Sequence, residues 1–418
     1  MRQQPSEVLV TGAGPVGMFT ALLLAKSGVK VEVIDQEART AGHSYACALH
    51  PSTLNLLAQV GLADQAIEQG RRINTIAFYA GGVRSTELRL SNLKTEFPFV
   101  LVLEQSQLED LLEQKLRQQG VAVQWQHRLA ELAMDETGVT ATVEQLAMTG
   151  GGYSVPQIGL GVEKRYETRT DFVIGADGQH SLVRDRMKLK YEQAGERELF
   201  AVFEIESDGG FDDEMKIVFD RSTTSVMWPL APDKCRWSFQ IVPADAPGDF
   251  PDKDRTRMVM GSTGEGDVTR QRAHRLLRDR APWFGGNIRA VDWRTDIQFE
   301  HRLADHFGKG RCWLAGDSAH QTGPVGMQSM NAGLREGADL AEALRKIIKD
   351  RQGEALLQRY GDEHRAEWKR LLKLDGGPKP LNTATNWVKG NCARIIECLP
   401  ASGVELAAML QQLGLASA

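Results

Sequence analysis

Three carboxylates stand where a ligand could meet them. Asp35 ends an apolar alternating run at residues 29–34, Asp177 follows the apolar run 172–176, and Asp317 follows residues 311–315 with Gly316 between. The first belongs to a longer pattern. Residues 8–10 are apolar; Gly12, Gly14 and Gly17 follow in G-x-G-x-x-G spacing around Pro15 and Val16; residues 18–26 have helical period; Gly28 closes them. Strand, tight turn, helix, strand is the order a dinucleotide site needs. Gly12 lets the chain turn off the strand, Gly14 lets backbone approach a pyrophosphate, and Gly17 lets the helix lie close to the sheet. The helix start offers free N–H groups and partial positive charge to phosphates. Asp35 can accept hydrogen bonds from both hydroxyls of a ribose. The pattern leaves NAD and FAD both open.

Residues 174–184, IGADGQHSLVR, bring a second strand onto a glycine turn. Gly178 permits that turn beside a ligand, and Arg184 can pair with a phosphate or with Asp177; a purely structural turn reads equally well. Residues 311–331, RCWLAGDSAHQTGPVGMQSMN, form the third stretch. Asp317 emerges at a strand's carboxyl end, where open α/β sheets bind ligands. The helix that starts near residues 326–331 faces the same place, which suits a ring that becomes anionic.

The elements that must position these residues can be read along the chain. With 418 residues there is room for two or three domains. Apolar residues make up 42% and charged residues 25%; the net charge of −5 and the lack of a basic block argue against nucleic acid as a partner. No apolar run approaches a membrane span, and the first strand begins almost at once, without a signal-peptide layout. Five scattered cysteines, none in C-x-x-C, argue against a disulfide framework or a zinc site and for a reduced, cytoplasmic protein. Helical period recurs at residues 53–59, 107–118, 256–280 and 328–349, and a hairpin turns at Gly81-Gly82. A meander spans residues 129–172, and residues 199–242 alternate as an antiparallel sheet does. The last ~40 residues are helical, broken at residues 376–378 and 399–400. The dinucleotide domain is therefore discontinuous: residues 1–72, 99–185 and 283–350, with a hairpin (73–98) and a sheet (186–282) of a second domain inserted, and a helical segment at 351–418.

The three motifs, in this order and spacing, resemble the class A FAD-dependent aromatic hydroxylases, the flavoprotein monooxygenases typified by p-hydroxybenzoate hydroxylase. The resemblance runs from residue 8 to about 344 and includes Leu103-Glu104-Gln105 with Leu108-Glu109. It implies an α/β fold: a discontinuous Rossmann-like FAD-binding domain with an inserted antiparallel-sheet substrate domain. It implies bound FAD, with NAD(P)H and O2 as co-substrates and hydroxylation of an aromatic, phenolic or polyketide-like molecule through a hydroperoxide at flavin C4a. On it, Gly12, Gly14, Pro15, Val16, Gly17, Asp35, Gln36, Gln105, Asp177, Gly178, Arg184, Gly316 and Asp317 would hold the cofactor. Pro324, Val325, Gly326, Met327, Gln328, Ser329, Met330 and Asn331 would line the isoalloxazine; no side chain is assigned a catalytic step. The sequence departs from the family where Asp35 stands for the commoner Glu, where Met327 and Ser329 replace glycines, and where Tyr45 replaces an arginine that reaches the phosphates. The chain is also shorter than members carrying a thioredoxin-like third domain.

His320 reads as a packed histidine rather than a base, and His43, His50 and His301 show no metal spacing. Met227, Trp228, Pro229, Trp237 and Phe239 lie on alternating strands and read as core, or as an apolar substrate pocket if their sheet covers the flavin. Two other readings stay open. One is a halogenase or prenyl-chain reductase on the same fold, although the halogenase W-x-W-x-I-P motif is absent. The other is a flavin-retaining binding protein without turnover.

Overall fold

Val8–Thr11 is buried along its whole length and anchors a six-stranded sheet. The computed structural model describes residues 6–40, 46–151, 157–242 and 267–416. The sheet runs Gly308–Lys309, Cys312–Leu314, Phe172–Gly175, Val8–Thr11, Val31–Asp35, Val123–Trp125, parallel throughout except at its first, short pair. Three of these strands, VLVT, FVIG and CWL, are apolar almost without interruption because both faces are covered. The helix Pro15–Lys26 packs on this sheet and lies against two others, Gln105–Gln118 and Gln328–Ile348. It meets the last of these closely. A Cβ on Gly333 would sit 2.8 Å from Val16 Cγ2, and one on Gly337 would sit 2.2 Å from Thr20 Oγ1. Strands His127–Met134, Val139–Gly151 and Gln157–Thr170 form the expected antiparallel meander.

The inserted sheet has seven strands: Ile288–Phe299, Glu198–Ser207, Lys234–Ile241, Thr223–Ala231, Glu214–Asp220, Thr75–Ala80 and Val83–Arg89. Every pair is antiparallel except Glu214–Asp220 with Thr75–Ala80. Residues 288–299 read as part of the dinucleotide domain in sequence. They are instead the sheet's edge strand, paired along Glu198–Ser207. A run of a dozen residues is ambiguous in sequence, since its partner is almost a hundred residues away and only pairing reveals the sheet it joins.

Alternation divides this sheet into two faces. Phe200, Val202, Val226 and Trp228 join the large core shared with the dinucleotide domain. Ala201, Phe203, Met227, Trp237 and Phe239 form a separate cluster under the helix Asp267–Arg280. Three C-terminal helices follow, Ala355–Leu371, Asn386–Cys398 and Gly403–Gln412. The second is clasped to the inner face. Trp387 stacks on Phe219 at 5.6 Å, and Arg394 lies 4.1 Å from the same ring while donating to Thr223 O and Thr224 Oγ1.

Candidate functional site

The three motifs meet through backbone. A Cβ on Gly12, where φ is +97°, would sit 2.2 Å from Ala176 O, so glycine alone lets the first turn touch the strand that delivers Asp177. Gly14, by contrast, faces open space, and a Cβ on Gly316 would meet Val16 at 3.1 Å. Thr11 O accepts from Ala176 N, and Gly175 O accepts from Ala315 N. Strand ends carrying all three motifs are thus side by side.

Beside the first two of them lies a cavity of about 270 Å³ lined by Gly12, Gly14, Asp35, Gln36, Asp177 and Gly178, with His127, Arg128 and His180 at its border. Asp35 accepts from Ala13 N at 2.6 Å and Glu37 N at 2.8 Å. Its carboxylate braces the glycine loop and has lone pairs to spare. Asp177 Oδ2 caps the short helix Leu182–Arg186 by accepting from Leu182 N and Val183 N, while Oδ1 is buried without a partner among the described residues. Burial pushes this carboxyl above its ordinary range, against the pull of Ser181 and those N–H groups.

Arg184 was expected at a phosphate or at Asp177. Both of its amino groups are instead taken by backbone carbonyls, Ser318 O at 2.9 Å and Gln179 O at 2.7 Å, and its guanidinium lies 3.9 Å from the Tyr191 ring centroid. Tyr191 in turn donates to Asp317 O. Arginine and tyrosine together bolt the second motif to the third. The reason is geometric: the two loops expose carbonyls that only a long, forked donor spans.

Asp317 is half-buried; burial raises its carboxyl, against the pull of His320. The turn that carries it is held from below by Glu336, which the sequence did not single out. Glu336 is fully buried, accepts from Gly316 N at 2.8 Å and His320 Nε2 at 2.9 Å, and receives Trp368 Nε1 at 2.6 Å. Burial alone would raise its pKa; His320, His364 and the Gly316 N–H outweigh that and hold it down at about 2. His320 is buried and stacked on Trp368 at 3.8 Å, a packed histidine as its surroundings in sequence suggested.

The third loop is built from remote side chains. Met327 begins the helix Gln328–Ile348 in the left-handed region, φ +50°, a conformation that favours glycine. A Cβ on Gly326 would be 2.6 Å from Glu397 O, so the C-terminal helix presses on this loop. Gln328 donates to Ile396 O, and Asn331 donates to Ala48 O and Met327 O while accepting from His50 N and Thr53 Oγ1. His50 also meets Gly326 O at 2.9 Å, and burial drives its pKa down to about 3. The ring is therefore neutral and donates from Nε2. Pro324 and Val325 are buried, and Ser329 and Met330 are half-buried on the helix's first turn. Gln105 donates to Glu109 one turn further along the same helix, Gln105–Gln118. Tyr45 lies outside the described residues.

With this geometry in view, residues 5–375 match the family described as FAD binding domain. The chain belongs to that family. Among curated relatives it is 29% identical over 372 residues to 6-methylpretetramide 4-monooxygenase of Streptomyces rimosus, covering 88% of this chain and 60% of that protein. It is 30% identical over 371 residues to an uncharacterized aromatic compound monooxygenase, YhjG, of Bacillus subtilis strain 168, covering 88% and 67%. The chain thus spans about two thirds or less of these two relatives. A solved structure of p-nitrophenol 4-monooxygenase from Pseudomonas putida DLL-E4 has the same fold, with TM-score 0.73 at 23% identity over 98% of this chain and 94% of that one.

FAD, the family's cofactor, suits the residues present. The glycine cradle at Gly12 and Gly14, the orphaned Asp177 Oδ1 and the polar cavity beside Asp35 suit the phosphate and ribose groups of a dinucleotide. The expected substrate pocket needs correction. Trp237, Phe239 and Met227 point away from the FAD-binding domain into the outer cluster. Trp228 stays on the inner face, on the strand Thr223–Ala231 that neighbours strands Arg71–Ile73 and Val100–Val102, and its indole N–H has no partner among the described residues. Pro229 is buried beside it. Strict alternation of side chains explains the division, and sequence alone could not say which parity faced inward.

Proposed function

We propose that this protein is an FAD-dependent monooxygenase that uses NAD(P)H and O2 to hydroxylate an aromatic or phenolic, polyketide-like small molecule. The observation that carries the reading is that the strand ends of all three motifs lie side by side, with a cavity beside the first two. Bound flavin would activate oxygen for insertion into an electron-rich ring. The chain supplies the rest. Asp35, the glycine loop and Asp177 hold the dinucleotide end, and Asp317 stands at the strand end for the sugar-alcohol chain. The helix start at Gln328 offers N–H groups to a ring that gains negative charge. The inner-face apolar residues and the C-terminal helix exclude water, and Trp228 offers one buried donor to a ligand. The names of the relatives, monooxygenases of a phenol and of polyketide-type rings, support the substrate class. All five cysteines are free, in keeping with a cytoplasmic, reduced protein. Among the described residues no helix is long and apolar enough to cross a membrane.

The test is flavin identity, then oxygen uptake with NAD(P)H across a panel of phenols. FAD should be released on denaturation, and at least one phenol should stimulate uptake. Asp317→Ala should lose FAD while keeping its circular dichroism. Bound FMN, or no stimulation by any phenol, would overturn the reading.

A further inference from the structure

At the border of the dinucleotide cavity one residue holds a conformation that its type disfavours. Gln126 has φ +57°, in the left-handed region, directly after the strand Val123–Trp125. Both of its backbone groups are pinned: its N–H donates to Glu37 O at 2.8 Å, and its carbonyl accepts from Leu146 N at 2.7 Å. The chain is thereby bent at the strand end. His127 comes to line the cavity beside Asp35, whose own strand pairs with this one at Trp125. Strain of this kind persists where neighbours over-determine it, and it collects at ligand sites.

His127 is half-buried, and its ring is fixed at two points. Nδ1 lies 2.7 Å from Trp125 O, and the Tyr166 ring meets the imidazole edge-on, centroids 6.3 Å apart at 70°. A carbonyl only accepts, so Nδ1 carries the hydrogen and Nε2 keeps a lone pair. Among the described residues Nε2 has no hydrogen-bond partner. The neighbouring Arg128 donates from Nε and Nη2 to Glu144 Oε2 at 3.2 and 2.6 Å. Its charge is balanced there, and His127 offers the cavity an acceptor.

A dinucleotide with its pyrophosphate at Gly14 and its ribose at Asp35 has its base beyond the ribose. Across the sheet the strands run Val8–Thr11, Val31–Asp35, Val123–Trp125, so phosphate, ribose and base fall at three successive strand ends. The third end carries His127. At position 6 adenine presents a donor, its amino group, where a 6-oxopurine presents an acceptor. We propose that His127 reads the adenine of FAD, with Nε2 accepting a hydrogen bond from the 6-amino group. The contact selects FAD over a flavin dinucleotide whose base is a 6-oxopurine. It also fixes how far along the strand ends the adenosine lies. This contact needs only FAD at the cavity, whatever reaction the flavin supports.

The test is flavin exchange in the full-length, FAD-loaded protein. The holoprotein is incubated in mildly alkaline solution with equal excesses of FAD and its deaminated analogue, flavin hypoxanthine dinucleotide, and the bound flavin is then separated by chromatography. The wild type should hold FAD over the analogue by about tenfold or more. His127→Phe keeps a ring against Tyr166 and loses the lone pair. Its preference should fall on the order of tenfold, and FAD should leave it faster by a similar factor, read from flavin fluorescence. His127→Gln places an amide where Nε2 stood, and an amide can turn its oxygen to an amino group or its NH2 to a 6-oxo group. This variant should release FAD more slowly than His127→Phe and lack the wild-type preference. The preference is a ratio within one protein, so a general loss of stability does not imitate the result, and His127→Gln decides it if the phenylalanine variant does not fold. An FAD preference left unchanged in both variants would overturn the role of His127, since backbone alone would then read the base. Retention of FMN as tight as that of FAD would overturn it together with the FAD reading. Uptake that no phenol stimulates would sink the hydroxylase reading alone, and the exchange ratio would still decide whether His127 reads adenine.

Discussion

The two ends of the cleft are made by different means. At the dinucleotide end the work is done by backbone and by missing side chains: Gly12 against Ala176, Gly14 open, Asp35 bracing its own loop through Ala13 N. At the ring end, Gly326 is fenced by carbonyls of the C-terminal helix, Met327 holds a left-handed conformation, and Asn331 ties together residues 48, 50, 53 and 327. A site built from backbone tolerates little change in volume but needs few neighbours. A site built from distant side chains tolerates local change and depends on the whole fold being complete.

The sharpest way to break this contrast is Gly12→Ala. The new methyl would overlap Ala176 O at a positive φ, so we expect destabilisation on the order of 3 kcal/mol or more and no retained FAD. Thermal melting with flavin content checks it. An alanine variant that melts and binds as wild type would remove the claim that backbone contact shapes this end.

A second test addresses the shared support beneath the third motif. Glu336→Gln keeps the shape but not the charge beside His320, and we expect a loss of about 3 kcal/mol. Its pH dependence carries the sign. Because the folded carboxyl sits at about 2 and the unfolded one near 4.5, its contribution is complete above about 4.5 and fades as the pH falls toward 2. His50 works in the same direction. Below about 6.5 the unfolded chain takes up a proton that the buried ring, at about 3, refuses. The variant's stability should therefore vary less with pH below about 4.5 than the wild type's, measured by urea unfolding across that range.

The smallest expected effect is Met327→Gly. Relief of the left-handed backbone, about 1–2 kcal/mol, opposes the loss of a buried side chain of similar worth. Stability should move by less than about 1 kcal/mol, while FAD dissociation, followed by flavin fluorescence, should slow. Faster dissociation would show that the methionine side chain holds the loop rather than merely occupying it.

The difference between the ends also marks what sequence could tell. The first motif was legible because strand, turn, helix and carboxylate lie within 28 residues and each glycine has a local reason. The long helix and the meander were legible by period. Asn331 was read as a ring-loop residue, but its partners His50 and Thr53 lie 281 and 278 residues away, and no local pattern names them. Glu336 looked like any polar residue on a helix. The edge strand Ile288–Phe299 shows its sheet only when it joins Glu198–Ser207. The parity of Trp228 against Trp237 was invisible for the same reason.

The one parallel pair in the inserted sheet also constrains how the protein is made. Thr75–Ala80 leaves the ribosome some 140 residues before Glu214–Asp220, the strand it must lie beside. Its hairpin partner, Val83–Arg89, protects only one edge in the interval. The opposite edge, with Ile76 and Phe78 beside it, waits with unpaired amides through the synthesis of the meander and the second motif. Val8–Thr11 meets its neighbour Phe172–Gly175 only after a comparable delay. Nascent chains halted between residues 100 and 210 are thus the species most exposed to strand-edge aggregation, and the ones for which a chaperone would matter most.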